Sequence, residues 1–353
     1  MTDESDEVLS RVVDGVGFVT LNRPKAINSL NQGMVDELRA VLAGWEQDAA
    51  VGAVVLSGAG ERGLCAGGDV VAIYHSARAD GVVARRFWRD EYLLNGLIGR
   101  FGKTYVSLMD GIVMGGGVGV GAHANIRVVT ETSKMAMPEV GIGFIPDVGG
   151  AYLLSRAPGS LGLHAALTGA PFSGADAIAL GFADHFVPHD KLDAFSRAIV
   201  ADGVERALAA HVIEPPPSGL IAQRDWIDQC YAGDSVADIV ASLRSHEKTG
   251  AGPANDAADL IATRSPIALS VALEAVRRAA KCDTLEDVLV QDYRVSCASL
   301  RSHDLVEGIR AQLIDKDRNP QWSPASLAQV SAADVDAYFA PVDDDLTFRK
   351  AAG

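Results

Sequence analysis

Basic residues are scarce in this chain: 31 Lys and Arg stand against 46 Asp and Glu, a formal net charge of −15. That balance argues against nucleic acid or an anionic membrane as partner, since both are held by a basic face. A phosphorylated ligand stays open, because a few local Lys and Arg residues suffice for it. Cysteine is sparse too. Cys65, Cys230, Cys282 and Cys297 form no C-x-x-C pair and no disulfide or zinc spacing, and they read as reduced thiols of an intracellular protein. The eight histidines show neither H-x-H nor H-E-x-x-H, so no metal site is expected. Gly, Asp or His interrupts every apolar run, and none approaches the length of a membrane span. The acidic start, MTDESDEV, has no apolar segment and no Arg-rich amphipathic pattern, and the RKAAG end is not a peroxisomal address. The expected location is cytoplasmic.

What the chain does have is 48% hydrophobic residues over 353 positions, ample for one large core or two smaller ones. It also has a glycine-dense centre between Asp110 and Gly150. Gly111, Gly115, Gly116, Gly117, Gly119 and Gly121 follow the apolar run Tyr105 to Met109. Glycine at that density brings backbone close to something other than its own side chains. A helix beginning near Gly116 would offer unpaired N–H groups to developing negative charge. Glu139 and Asp147 then fall in stretches otherwise apolar or glycine-rich, where a carboxylate is expensive unless paired or used.

Gly17 to Asn22 reads as a strand, and Asn31 opens a helix with Met34, Leu38, Val41, Leu42 and Trp45 at spacings of three and four. Ala53 to Ser57 is a buried strand. Gly63 to Asp69 is a turn leading into a helix. Arg85 to Phe101 is a helix, with strands at Tyr105 to Met109 and Ile126 to Thr130. Strands alternating with helices predict an α/β protein. From Gly150 onward the pattern is helical. Ser265-Pro266 is an N-cap followed by Pro at the first helical position, and Thr284 with Asp287 is a variant capping box. Pro215-Pro216-Pro217 is the strongest linker signal. It divides a core (residues 1–214) from a helical C-terminal region (residues 215–353).

Four motifs in order carry a resemblance: Asn22-Arg23-Pro24-Lys25-Ala26-Ile27-Asn28, Cys65-Ala66-Gly67-Gly68-Asp69, Gly111 to Gly117, and Met137-Pro138-Glu139. Together they resemble the crotonase (enoyl-CoA hydratase/isomerase) superfamily over residues 10 to 190. The resemblance implies a spiral of ββα turns with a helical C-terminal region and a CoA-thioester ligand. It also implies an oxyanion hole from the backbone N–H groups of Gly68 and Gly116. Typical hydratases of that family carry one glutamate two positions after the glycine run and a second twenty residues later. Here those positions are Gly119 and Glu139, so one of the usual two acids is absent. Phe144 to Gly150, Glu91 within Arg89 to Asn95, Met114 to Gly119, His303 to Gly308 and Leu313 to Trp322 are instead similar to the 3-hydroxyisobutyryl-CoA hydrolase branch.

The reaction this implies is hydrolysis of a short 3-hydroxyacyl-CoA thioester, as in valine breakdown. Glu139 either attacks the thioester carbonyl or activates water as a general base. Gly68 and Gly116 hold the oxyanion, where two fixed N–H donors act most strongly at the transition state. Asp147 serves the substrate hydroxyl or the water, and Glu91 hydrogen-bonds across the same cleft. Lys25 and Asp69 are expected near the CoA phosphates and adenine, with Ala66 also lining the substrate. No cofactor is expected, coenzyme A being part of the substrate, and Cys65 reads as core. Two alternatives remain: an enoyl-CoA hydratase or isomerase, and a non-catalytic CoA-thioester-binding protein. Typical family members form trimers or hexamers, so a homo-oligomer is open.

Overall fold

The computed structural model describes residues 6–246 and 251–348. Met1–Ser5 of the acidic start and the RKAAG end lie outside the described residues. The chain forms two compact units. The first comprises residues 1–68, 93–136 and 172–219; the second comprises residues 69–92, 137–171 and 220–353.

Nine strands lie in the first unit: β1 Val8–Val13, β2 Val16–Leu21, β3 Ala53–Gly58, β4 Thr104–Met109, β5 Ile112–Met114, β6 Ile126–Val129, β7 Lys134–Ala136, β8 Phe172–Ser173 and β9 His185–Phe186. A six-stranded sheet runs in the order β1-β2-β3-β4-β6-β9, and a three-stranded sheet runs β5-β7-β8. Among the described residues, β1–β2 and β7–β8 are the strand pairs that run antiparallel. The β1–β2 hairpin closes on Asp14-Gly15, both with positive φ (46° and 83°), as a two-residue hairpin turn requires. This strand is absent from the sequence prediction, although an Asp-Gly flanked by VLSRVV and VGFVTL is the signal for it. The parallel strands read as continuous apolar runs because both faces are covered. Val55, Val106, Leu108 and Val128 pack with Phe195, Ile199 and Ala207 from the helices Leu192–Asp202 and Val204–His211.

Along the chain, β2, β3, β4 and β6 are each followed by a short strand or bridge of the second set and then by a helical turn. Thus β4, β5 and the helix Gly116–Gly121 follow one another, as do β6, β7 and the 3-10 turn Glu139–Ile142. These are the ββα turns predicted. The expected helix start at Asn31 is also present, with Asn31 Oδ1 accepting the Met34 N–H at 2.9 Å.

The second unit is mostly helical. Pro266–Ala279 is its central helix, buried along Ile267, Leu269, Val271, Ala272 and Val276, and is capped by Ser265, which accepts the Ala268 N–H at 3.1 Å. Leu285–Ser299 starts on the Thr284–Asp287 capping box. The chain crosses between units at Gly219/Leu220 as well as at four earlier points, 68/69, 92/93, 136/137 and 171/172. The second unit also takes residues 69–92 and 137–171, however, so Glu91, Glu139 and Asp147 group with the C-terminal helices rather than with the rest of residues 1–214. Among the described residues no helix is long and apolar enough to cross a membrane.

Gly63 has φ +146°, and a Cβ there would lie 2.1 Å from Ile112 N. Gly63→Ala is therefore expected to cost at least about 2 kcal/mol, from overpacking and backbone strain together. A lowered urea midpoint checks it, and a midpoint within error of wild type would show that the β5 edge gives way freely.

Candidate active site

Glycine turns organise the first unit's share of the predicted residues. Asn28, itself left-handed at φ +54°, donates through Nδ2 to Ala59 O (3.0 Å) and Gly63 O (3.1 Å), and its Oδ1 accepts the Arg23 N–H at 2.9 Å. That buried amide folds the Asn22–Asn28 motif onto the next one. Cys65 N–H donates to Ile112 O (3.1 Å) and Met114 N–H donates to Cys65 O (3.0 Å). A Cβ on Gly117 would sit 2.4 Å from Cys65 O, so only glycine lets the two turns approach this closely. Gly116 is the first residue of its helix, where N–H groups have no intrahelical partner. Among the described residues neither Gly116 N–H nor Gly68 N–H meets an acceptor. Ala66 and Gly68 are half-buried beside them, and Cys65 is fully buried. Lys25 is exposed on the turn Pro24–Ala26.

The acids belong to the second unit. Asp69 caps the helix Val70–Ala77, its Oδ1 accepting the Ala72 N–H at 3.3 Å, which is a structural use of that carboxylate. Glu91, Glu139 and Asp147 are 2%, 7% and 6% exposed. Glu91 rides on the helix Val82–Gly99, Glu139 opens the 3-10 turn Glu139–Ile142, and Asp147 precedes the helix Gly150–Leu154. Sequence reasoning missed a fourth acid, Asp292, wholly buried on the helix Leu285–Ser299. Its signal was a charge inside an apolar helical face.

Among the described residues no Lys, Arg or His pairs with any of the four. Tyr92 Oη donates to Asp147 Oδ2 at 2.6 Å and lies 2.7 Å from Ser296 Oγ. Gly149 N–H donates to Asp292 Oδ2 at 2.8 Å. Glu91 Oε1, Glu139 Oε2 and Asp292 Oδ1 are buried with no protein partner. Burial, then the charge of Asp147, pushes Glu91 well above the usual carboxylate range. Glu139 is raised by burial and by Asp147, with Glu91 and Asp292 adding to it against its own backbone N–H. Asp147 is pushed up to about 7 by burial, although the Tyr92 hydroxyl and its own backbone N–H pull the other way. Burial also raises Asp292, against the Gly149 N–H. Carboxylates raised in this way suit general acid–base work.

The turn that carries Asp147 is strained. Val148 has φ +52° and Gly149 φ +75°. For a β-branched residue that is an outlier costing about 1–3 kcal/mol, kept only where the surroundings over-determine it.

Residues 16–339 match the family model described as enoyl-CoA hydratase/isomerase. Among curated proteins, a Danio rerio protein named "3-hydroxyisobutyryl-CoA hydrolase, mitochondrial" is 40% identical over 349 residues, covering 96% of this chain and 90% of that one. The Homo sapiens protein of the same name is 37% identical over 359 residues, covering 98% and 92%. Among solved structures, a carnitinyl-CoA dehydratase from Mycobacterium thermoresistibile is 72% identical with a TM-score of 0.95, covering 98% of this chain and 99% of that one. An enoyl-CoA hydratase from Rhodobacter sphaeroides is 39% identical with a TM-score of 0.91, covering 97% and 100%. The curated names say hydrolase; the structures' names say dehydratase and hydratase.

The raised carboxylates set a pH dependence of stability. The folded chain binds the Asp147 proton more tightly than the unfolded chain, whose Asp titrates near 3.9, so this contribution is full at low pH. It is lost as pH rises towards about 7, and Glu91, Glu139 and Asp292 act in the same sense. Asp147→Asn, which does not ionise, is expected to flatten the fall of Tm between about pH 4 and pH 7. If the variant's Tm falls as steeply as that of wild type, the slope belongs to other groups.

Proposed function

The chain belongs to the enoyl-CoA hydratase/isomerase family, and from that premise we propose that it hydrolyses the thioester of 3-hydroxyisobutyryl-CoA, giving 3-hydroxyisobutyrate and free CoA. The observation that carries this reading is the buried acid pair Glu139 and Asp147, set against a glycine at 119 where a hydratase of the family would place its first glutamate. Adding water across a double bond needs a hydroxide and a proton delivered together, and the second acid is missing. Hydrolysis needs one activated nucleophile and a place for the negative charge.

Glu139 takes the first part. Its carboxylate either adds to the thioester carbonyl, expelling CoA thiolate and leaving an anhydride that water opens, or removes a proton from water as that water adds. Negative charge grows on the carbonyl oxygen in both cases. The unsatisfied N–H groups of Gly68 and Gly116 are suited to that charge. Asp147, its pKa pushed up to about 7, hydrogen-bonds the substrate 3-hydroxyl or the water, and Glu91 hydrogen-bonds the ligand through its unpaired Oε1. Lys25, Ala66 and Asp69 line the CoA part of the ligand. The branched acyl group and 3-hydroxypropionyl differ by one methyl, a difference typically worth about 1–3 kcal/mol in a hydrophobic pocket. The curated relatives are named mitochondrial, whereas the composition here reads as cytoplasmic; fractionation of the native host decides between them.

A second reading is favoured by the same titration. An acid with a pKa near 7 can protonate a departing 3-hydroxyl, which is the dehydration named for the 72%-identical structure. The two reactions leave different products. Hydrolysis frees a thiol and dehydration leaves the thioester intact with a new double bond. With 3-hydroxyisobutyryl-CoA, thiol release without growth of unsaturated-thioester absorbance is the expected result, and the reverse pattern overturns hydrolysis. Glu139→Gln is expected to lower kcat about 10²–10⁴-fold while leaving CoA-thioester affinity within a few-fold. Wild-type turnover by that variant removes Glu139 from the mechanism. Asp147→Asn is expected to slow turnover and to narrow the preference for 3-hydroxylated over plain acyl-CoA; undiminished discrimination would place the hydroxyl elsewhere.

A further inference from the structure

Within the second unit, one helix grips the Asp147 turn at two points a turn apart. From Leu285–Ser299, Asp292 Oδ2 accepts the Gly149 N–H at 2.8 Å. Four residues on, Ser296 Oγ lies 2.7 Å from Tyr92 Oη, whose proton goes to Asp147 Oδ2 at 2.6 Å, and 2.8 Å from Asp292 O, so its single proton serves one of those two oxygens. Residues spaced by four share a helix face. The first grip is on the backbone of the turn and the second, through Tyr92, is on the carboxylate itself.

We propose that Asp292 is a positioning residue for Asp147: by accepting the Gly149 N–H it holds the left-handed Val148-Gly149 pair in place and so fixes where the Asp147 carboxylate is presented. The inference rests on the role given to Asp147 above. Two features support it. Val148 is a buried β-branched residue at φ +52°, a conformation that reverts unless something restrains it, and the bond to Asp292 falls on the very next N–H. The restraint is also a costly one: a wholly buried carboxylate whose Oδ1 has no protein partner. Ordinary packing would meet one N–H with a neutral acceptor. An acid in that place also sets the charge around its neighbours: facing Glu139 are Asp147, Glu91 and Asp292, all carboxylates.

The test uses the full chain, with Asp292→Ala and Asp292→Asn beside wild type. The first readout is amide hydrogen exchange over residues 147–150, which needs no substrate. Asp292→Ala is expected to speed exchange at Gly149 by about tenfold, as loss of one buried hydrogen bond implies, while Asp292→Asn, which keeps an acceptor oxygen, stays near wild type. The second readout is turnover. Asp292→Ala is expected to lower kcat by about 10–100-fold with a smaller change in KM, because a displaced group costs rate more than affinity. Asp292→Asn is expected to recover most of that kcat. Should the Ala variant fail to fold, the Asn variant carries the test through exchange at Gly149 and its split between kcat and KM. Wild-type exchange in Asp292→Ala, or exchange in Asp292→Asn about tenfold faster than in wild type, overturns the inference. A wild-type chain that releases no thiol overturns the hydrolase reading instead, and the exchange data still decide whether Asp292 holds the turn.

Discussion

Four carboxylates buried together without a cation are the constraint on which the second unit depends. Removing one acid from water already favours its neutral form, and each ionised neighbour adds repulsion, so the four are not all charged at neutral pH. Two of the four are met by an uncharged donor rather than a counter-ion: Tyr92 for Asp147, the Gly149 N–H for Asp292. A lysine or arginine in their place would have lowered every one of these pKa values and fixed the acids as permanent anions. Donors that carry no charge leave the protons mobile. The four acids come from three separate segments of chain, residues 69–92, 137–171 and 220–353, so tertiary packing brings those segments together.

That packing makes the C-terminal helices part of the site's construction. The Glu139 turn has no room around it. A Cβ on Gly143, itself left-handed at φ +73°, would lie 2.2 Å from Asp304 O, and one on Gly308 would lie 2.3 Å from Ile142 C. Asp304 is wholly buried, its Oδ2 accepting from Ser265 at 2.5 Å and its Oδ1 accepting the Ser323 N–H at 2.7 Å. Ser265 also caps the central helix. The position of Glu139 is thus tied to residues far along the chain, through close backbone contact rather than through flexible side chains. The helix His303–Ile309 and its flanks define where Glu139 sits.

Much of this was legible in the sequence, and the failures have physical causes. Elements marked by local chemistry were readable: the Asn31 and Ser265 caps, the Thr284–Asp287 box, and the buried runs of β3 and β4. Two- and three-residue strands such as β5, β7, β8 and β9 carry too few residues for any period to show. The cut at 215 followed a real proline break, but compactness is decided by packing that local composition does not record. Glu91, Glu139 and Asp147 stood out because each is an acid among apolar or motif residues. Asp292 did not, because its neighbours Gln291, Tyr293 and Arg294 disguise a buried face as an ordinary amphipathic one.

The division among the relatives' names has a physical root. Hydration, dehydration and thioester hydrolysis within one family all place negative charge on the same carbonyl oxygen, so the paired N–H donors serve each equally well. What distinguishes the reactions is how many acids act, and on which atom. Chemistry at the double bond moves a proton at the α carbon and oxygen at the β carbon in a fixed relation, which is work for two groups. Position 119 lies in the middle of the helix Gly116–Gly121 and presents no side chain at all. The remaining carboxylates are crowded enough to hold protons near neutrality yet are not matched as acid and base across a double bond by any residue at 119. With that group absent, the step that asks least of the site is attack at the carbonyl carbon, where one activated oxygen suffices and the leaving thiolate needs little help. On the reading proposed above, loss of a single acid shifts the balance from addition towards cleavage with the fold unchanged.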